Sequence, residues 1–538
     1  MGWPDLMVVC RRWRDVFVTT PAFWRTIDLG HQIDWTKLCL ARSVPSSIDV
    51  FTRHEDRCPL GVIFPHARRF RRFFFQTAPG SQLERALSYL FGGGMPLLEN
   101  LTFKVLQTPH MGDAVDANFT SHRFPSLQAL TLQGTAAPRL GDVSFYIQLR
   151  QLSLNFCSYN LSFEGFLDAL SACVQLEDLA LINTLHFLPG GWAHDKAMPR
   201  RQPITLPCLR KFKAICHDAL HTSRFLAHLY LQPSVVFEIA IDPFRGPLVG
   251  GEGNWEPPDI IIDATTIREM LPPNRLATLP LLTVATHVEI TDMHSEYCIR
   301  CGYGYLVDPR TGSPDSVLKV NTVYIWDDPQ DGLLTQGLHD LVECFNRAPL
   351  TGLKVHAFQL YATVDIWEAV FLAFPLLEEL IFDGTEGASG IFLGLHAASS
   401  RTCDESSVAC PKLNRVSAGR LCTAAAFEAM RECFQHRADR GARLQVLDLR
   451  RDLWPGNTHV TRTWRYMGYI SPAPQHMHTS IAAVRAPPRA GPPLDKACKL
   501  GTYYFATADT AEWRDAGILA VTLNMYDFEE MEDVLSGL

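Results

Sequence analysis

The sequence predicts an α/β chain built as an irregular solenoid, one helix–strand unit repeated along its length, and three observations predict it. A motif of the form apolar-x-x-apolar-x-apolar, often led by proline, returns many times. The first leucines of four successive copies, at 98, 127, 149 and 176, stand 29, 22 and 27 residues apart. Several copies follow a stretch whose apolar residues recur at helical spacing. With 538 residues the chain also exceeds what one compact core holds, so a stack in which each unit buries its apolar face on its neighbours is the expected solution.

The first clear copies are PLLENLTF (Leu98, Leu101, Phe103), PSLQALTL (Leu127, Leu130, Leu132), IQLRQLSL (Leu149, Leu152, Leu154) and VQLEDLAL (Leu176, Leu179, Leu181). In each, the last two apolar residues alternate with their neighbours, which places them on one face of a short strand. Leu83, Leu87, Leu90 and Phe91 form a helical stripe ahead of the first copy. Phe166, Leu167, Leu170, Cys173 and Val174 form another ahead of the fourth. From about 185 to 330 the pattern weakens: PCLRKFKA from Pro207 is a poor copy, and GPLVGGEGNWEPPD (246–259) and LPPNR (271–275) are loop-forming. Even there, SRFLAHLYLQPSVVFEIAI reads as a helix, a turn at Pro233 and a strand.

Downstream, the apolar stretch 364–382 reads as a helix (Ile366, Val370, Phe374) followed by the strand of PLLEELIF (Leu377, Leu380, Phe382). Asp365, Glu368 and Pro375 inside it exclude a membrane span. PKLNRVSA from Pro411 is a second poor copy, and Phe427, Met430 and Phe434 precede ARLQVLDL (Leu444, Leu447, Leu449). The Pro-rich segment 471–493 is expected as a loop, GILAVTLNMYD (517–527) as a last strand, and the acidic DFEEMEDVLSGL as a polar end cap. The domains so read are an N-terminal segment of residues 1–30, a repeat stack over 31–452 and a capping region over 453–538. The competing reading is an ordinary α/β protein whose L-x-L segments are simply buried parallel strands. The proline-led spacing and the preceding helices favour repeats.

Hydrophobic residues at 47% and aromatics at 10% are ample for burial, and a formal charge of −8 makes a nucleic acid a poor partner. The fifteen cysteines are scattered in apolar surroundings, and Asp5 with Arg11 and Arg12 interrupts any signal peptide. They read as reduced, buried thiols of an intracellular protein, cytoplasmic or nuclear. Cys298 and Cys301 form a lone C-x-x-C near His294, but the next cysteine is Cys344, outside the window of a zinc site, so they read as turn residues and no metal is expected. No dinucleotide fingerprint, phosphate loop, nucleophile elbow or H-E-x-x-H helix occurs, so neither a cofactor nor a catalytic residue is expected. The arginines of HARRFRRFFF (66–75) read as a solvated strand edge or a small protein-docking patch.

These motifs resemble leucine-rich repeats of a degenerate kind. In that family an Asn or Cys follows the L-x-L strand by three residues and bonds the turn backbone. Here only Cys157 fits, and the corresponding positions otherwise hold Leu106, Thr135, Thr184, Thr385 and Asp452. The resemblance implies a horseshoe in which residues between the strand leucines line a concave, partner-binding face. Those candidates are Thr102, Lys104, Thr131, Gln133, Ser153, Asn155, Ile182, Asp383, Asp448 and Arg450.

The N-terminus adds a second resemblance. Leu6, Val9, Cys10, Trp13 and Phe17 fall at helical spacing in LMVVCRRWRDVF, and AFWRTIDL reads as a turn into a strand bearing Ile27 and Leu29. The set Val9, Cys10, Arg11, Trp13, Arg14, Pro21, Trp24, Ile27 and Leu29 resembles the second half of an F-box. Its combination with degenerate repeats is similar to the F-box proteins of mushroom-forming fungi. The upstream Leu-Pro-x-Glu segment and first helix are absent before Met1, which predicts either a misplaced start or a relic module that caps the first repeat. The resemblance implies a non-catalytic substrate receptor of a Skp1-cullin-F-box ubiquitin ligase, with a Skp1-like adaptor docked on Leu6, Val9, Cys10, Trp13, Phe17, Pro21 and Trp24. A protein substrate would lie on the repeats. The alternative is a stand-alone repeat scaffold that no longer binds Skp1. Neither nucleic acid nor membrane is an expected partner.

Overall fold

The computed structural model describes residues 10–29, 33–52, 60–77, 88, 92–105, 119–134, 143–157, 162–185, 202–216, 218–241, 266–292, 296–302, 316–323, 333–357, 359–384, 387–401, 407–419, 423–450 and 521–524. Over these residues the chain is mixed α/β, and it divides into two compact units. One comprises Met1–Leu282 with Val317–Ile325, the other Thr283–Ser316 with Trp326–Leu538. The division therefore falls inside the stretch 185–330 where the sequence pattern weakens.

In the first unit, parallel pairing joins β1 (Thr26–Asp28), β2 (Ile48–Thr52), β3 (Phe70–Thr77), β4 (Asn100–Val105), β5 (Ala129–Gln133), β6 (Gln151–Asn155) and β7 (Asp178–Ile182) in sequence order. Beyond the two-residue β8 (Ile204–Thr205), the sheet continues with β9 (Lys211–Cys216). After β10 (Leu229–Tyr230), which pairs with β8, come β11 (Val236–Ile241) and, from further along the chain, β14 (Ser316–Val323). Each strand from β4 to β7, and again β9 and β11, alternates half-buried or exposed residues with buried ones. The motif leucines supply the buried set. Leu101, Leu130, Leu152 and Leu179 stand in one row across four strands, and Phe103, Leu132, Leu154 and Leu181 stand in the next.

The first leucine of each motif has a different task. Its N–H donates to the carbonyl three residues earlier and closes a turn, as in Leu98 to Met95, Leu127 to Phe124, Leu149 to Tyr146, Leu176 to Cys173 and Leu209 to Leu206. The next residue then bonds to the preceding strand's start, as in Glu177 to the Arg150 carbonyl and Arg210 to the Glu177 carbonyl. The strand ends repeat as well. Gly134, Phe156 and Asn183, each just after a strand, have positive φ, and their N–H groups donate to the carbonyls of Asn155, Ile182 and Ile215 on the neighbouring strand (2.9, 2.9 and 2.6 Å). At Gly134 a side chain could not be accommodated, because a Cβ there would lie 2.9 Å from the Val105 carbonyl oxygen.

Helices cover the leucine side of the sheet. In α3 (Phe163–Ala172), capped by Ser162, the predicted Phe166, Leu167, Leu170 and Cys173 are buried. Val174 is 47% exposed instead, because the helix stops at Ala172 and Cys173 turns the chain. In α4 (Ala219–Leu226), Phe225 stacks on Phe212 of β9 and contacts Phe166. The predicted stripe at Leu83, Leu87, Leu90 and Phe91 lies outside the described residues. In the arginine-rich 66–75 segment the strand-edge reading is corrected: β3 is an interior strand between β2 and β4, although Arg68 and Arg72 are exposed. Arg69 donates to Ser46 O and Ser43 Oγ, Arg71 pairs with Asp49, and Phe70, Phe73 and Phe75 are core.

In the second unit, β12 (His287–Asp292) pairs antiparallel with β13 (Glu296–Gly302). On its other side follow, all parallel, β15 (Gly352–His356), β16 (Glu379–Asp383), β17 (Arg415–Gly419), β18 (Val446–Arg450) and β19 (Val521–Asn524). The same turn closes ahead of the motif strands, Leu377 to Phe374 and Leu413 to Cys410. The helices are α5 (Leu333–Phe345), α6 (Val364–Ala373), α7 (Ser389–Arg401) and α8 (Ala424–Asp439). Ile366, Val370 and Phe374 are buried as expected, as are Met430 and Phe434, while Phe427 is only half-buried. Gly394 lets α7 close on α6, since a Cβ there would overlap that of Trp367. On α8, the guanidinium of Arg437 is buried and donates to the Ala409 and Cys410 carbonyls at 2.5 and 2.9 Å, tying the helix to the turn ahead of β17.

Cys298 and Cys301 lie in β13 and not in a turn, a second correction. Three residues apart on a strand, they point to opposite faces and cannot share one ion. The tyrosine before them, Tyr297, donates from its hydroxyl to the buried Asp340 carboxylate of α5 at 2.5 Å and staples the hairpin to that helix. The Pro-rich 471–493 stretch and the acidic end lie outside the described residues. Of 517–527, Val521–Asn524 forms β19.

The turn after each strand generates a test. Cys157 lies two residues past the end of β6 and its thiol approaches the Leu132 carbonyl at 3.4 Å. Thr184, at the equivalent place one unit on, does the same with its hydroxyl: Oγ1 accepts from Cys157 N–H (3.3 Å) and lies within reach of the Leu154 carbonyl (3.1 Å). Thr184→Val is expected to cost about 1–3 kcal/mol in the first unit's denaturant transition, through the buried backbone groups it leaves unpaired. Thr184→Ser is expected to cost far less. Equal losses in the two variants would place the effect in packing instead.

Candidate functional site

The residues between the buried leucines form the other face of each sheet, and in-register parallel pairing arranges them in rows. In the first unit one row reads Asp28, Phe51, Phe74, Thr102, Thr131, Ser153, Ala180, Lys213, Glu238 and Lys319. Its neighbour reads Gln76, Lys104, Gln133, Asn155, Ile182, Ile215, Ala240 and Asn321. Seven sequence-derived candidates thus fall in two adjacent rows, Thr102, Thr131 and Ser153 in the first and Lys104, Gln133, Asn155 and Ile182 in the second. All seven are half-buried.

Sequence reasoning missed the two ends of these rows. At one end Phe51 and Phe74 lie with ring centroids 6.3 Å apart, and the Lys104 ammonium sits 5.5 Å from the Phe74 ring centre. At the other, Glu238 stands between Lys213 (3.0 Å) and Lys319 (3.4 Å) on the flanking strands. The hydrogen bonds and charges of both lysines hold the Glu238 carboxyl below its ordinary value, against the opposing effect of burial, which is the largest single influence. The alternation in VFEIAI carried the signal, but β9 follows only a poor copy of the leucine motif and β11 and β14 follow none.

In the second unit Asp383 sits in a row with His356, Gly419, Arg450 and Asn524, and Asp448 in the next with Lys354, Ile381, Ser417 and Thr522. A polar cluster that the leucine pattern did not flag lies beside them. Glu289 of β12, almost buried, faces Arg300 at 3.8 Å, Lys354 at 3.3 Å and His356 at 3.4 Å. Burial is the main influence lowering the His356 pKa. Lys354 and Arg300 add to it, and Glu289 and Asp383 oppose it.

At the N-terminus, α1 (Arg11–Thr19) is capped by Cys10, whose sulfur accepts from Trp13 N–H, and a 3₁₀ turn, Pro21–Trp24, leads into β1. Leu6 and Val9 lie outside the described residues. Phe17 and Trp24, read from the sequence as docking residues, are interior. Trp24 is 1% exposed, its indole N–H donates to Phe17 O at 2.6 Å, and Arg42 of α2 (Ile33–Arg42) stacks over its ring at 4.7 Å. Trp13, of the same docking set, is the reverse: it is 53% exposed. Together with exposed Val16 and Phe23 it forms an apolar surface around the buried Phe17 ring, which contacts both Trp13 and Phe23.

Eleven cysteines are described, all as thiols outside any disulfide and all buried save Cys10 and Cys208. Burial pushes the thiols of Cys173, Cys216, Cys410 and Cys433 up to about 12. Among the described residues no helix is long and apolar enough to cross a membrane, and no group of three or more metal-ligating side chains comes together. No protein-family model matches the sequence, and no curated protein matches it either.

The histidines set a pH dependence. His287, His356 and His436 all have pKa values below the ordinary 6.5, with burial as the first cause in each. A depressed folded-state value means that the unfolded chain takes up protons first. Stability is therefore complete above about 6.5 and falls as pH drops through the folded-state values. The second unit is expected to lose stability between pH 7.5 and 5.5 in denaturant titrations, and His356→Gln to lose less over the same interval. An unchanged slope in that variant would remove His356 from the account.

Proposed function

We propose that this chain is a non-catalytic protein-interaction protein whose units are runs of an irregular leucine-rich solenoid, offering their sheet faces to a protein partner. We propose also that its N-terminal segment docks a Skp1-like adaptor in the manner of an F-box substrate receptor. The observation that carries the first half is the recurrence of one turn and one strand in both units, with a left-handed residue after three strands of the first, which leaves ordered rows of polar side chains on a face opposite the helices. The second half rests on the N-terminal motif and on the surface of Trp13, Val16 and Phe23, three apolar residues held outside the core.

A second reading has its own observation. Trp24 and Ile27 are buried and β1 pairs in register with β2, so the same segment serves as the cap of the first sheet. A cap alone makes the chain a stand-alone scaffold.

Capture of purified Skp1 by the full chain separates the two. Docking predicts binding that falls by about tenfold or more in Trp13→Ala and in Phe23→Asp, both exposed positions at which folding is retained. Trp24→Ala is expected to cost about 3–5 kcal/mol of stability in either case. A folded chain that fails to retain Skp1, or that retains it equally in the Trp13 and Phe23 variants, overturns docking and leaves the scaffold.

A further inference from the structure

Among the described residues, the β4–β14 part of the first unit's sheet face opposite the helices has an excess of cations, unlike the chain as a whole. From β4 to β14 its outward positions carry four lysines, Lys104, Lys211, Lys213 and Lys319, against two carboxylates, Asp178 and Glu238. The chain itself is formally −8. The charges are also segregated. Between β4 and β7 the central row is uncharged, Thr102, Thr131, Ser153 and Ala180. It runs on to the Phe51–Phe74 pair and then Asp28 on one side, and to the Lys213–Glu238–Lys319 triad on the other.

We infer that this face takes an extended, acidic peptide segment of a partner protein, lying across the strands. An aromatic or aliphatic residue of the segment rests on Phe51 and Phe74, and its carboxylates lie at the lysine end. The inference rests on the reading of the sheet as an interaction face and names what that face selects. From β3 to β9 the row crosses five strand spacings, or roughly 24 Å at about 4.8 Å each, which an extended chain covers in about seven residues. Hydroxyl and amide side chains between the two ends suit peptide backbone groups, which need donors and acceptors but no charge. Glu238 shares its charge between two lysines, so the triad keeps a net positive charge that an incoming carboxylate can use. Lys104, held over the Phe74 ring, places a further cation beside the aromatic end. A polyanion such as RNA would need charge along the whole track, and the central row offers none.

The full-length chain, panned against a displayed library of random peptides about seven residues long, provides the test. Enriched sequences are expected to be rich in Asp and Glu at one end and to carry an aromatic or aliphatic residue towards the other. Their affinity should fall by about tenfold in Lys213→Glu/Lys319→Glu and weaken in high salt, and peptides with Lys in place of the acidic residues should bind that double variant better than the wild type. Phe74→Ala should weaken binding without altering the acidic preference. A pool of neutral or basic peptides, no enrichment, or acidic peptides indifferent to the lysine reversals would each overturn the inference. Retention of Skp1 is read separately: a chain that binds Skp1 but selects no acidic peptide loses this inference alone, and one that selects acidic peptides without Skp1 loses only the ligase docking.

Discussion

The motif strands begin from hydrogen-bonded turns whose backbone is tied to the strand before, and that coupling governs the rest of the architecture. A one-residue slip between parallel strands would turn a whole leucine set to the wrong face. The bond from Glu177 to the Arg150 carbonyl, and its counterparts at Arg210 and Asn414, set the register before the strand proper begins. The repeat intervals of 29, 22 and 27 residues can then vary without harm. Extra residues accumulate between a strand's left-handed exit and the next turn, where they leave the ladder undisturbed.

In-register pairing has a second consequence. Side chains at equivalent positions stand one strand spacing apart, so a charge on the free face meets whatever the next strand offers. The chain answers with pairs that bridge strands: Asp49 with Arg71, Glu238 with Lys213 and Lys319, Glu289 with Lys354 and Arg300, Glu379 with Arg415. The half-exposed pairs of Glu238 with its two lysines stabilise little, roughly 0–1 kcal/mol each. Asp49, Glu289 and Glu379 are nearly buried and need their partners to offset desolvation. The pairs' larger effect is on specificity. Units with nearly the same leucine pattern could pair in the wrong order, and charge partners that match only between true neighbours count against it.

The strands whose inner face is leucine were legible from the sequence, because alternation and the proline-led turn are both local signals. Leu127, Leu130 and Leu132 announce their turn and strand within six residues. What stayed hidden depends on contacts distant in sequence. Arg69 and Arg71 look like solvent residues until Ser46 and Asp49 are brought beside them. Cys298 and Cys301 look like a turn pair because β13 alone gives no hint of the hairpin that Tyr297 fastens to Asp340. The face candidates of β4–β7 followed from period-two alternation, whereas Lys213, Glu238 and Lys319 come together only when β14 joins β11 across a long excursion of the chain.

In the N-terminal segment burial divides one amphipathic stretch into an interior set and an exposed apolar set. A parallel sheet must end somewhere, and an open edge invites pairing with another chain. Among the described residues β1 pairs only with β2, is three residues long, and carries the exposed Asp28. Short length and charge are the features that discourage further strand addition. Trp24, Phe17 and Ile27 complete the end by filling the core beneath it, and that work requires their burial. Capping places no such demand on Trp13, Val16 and Phe23, which remain in solvent at a cost that a pure end cap could have avoided with polar side chains. That apolar surplus beside α1 is the feature on which the proposed docking rests.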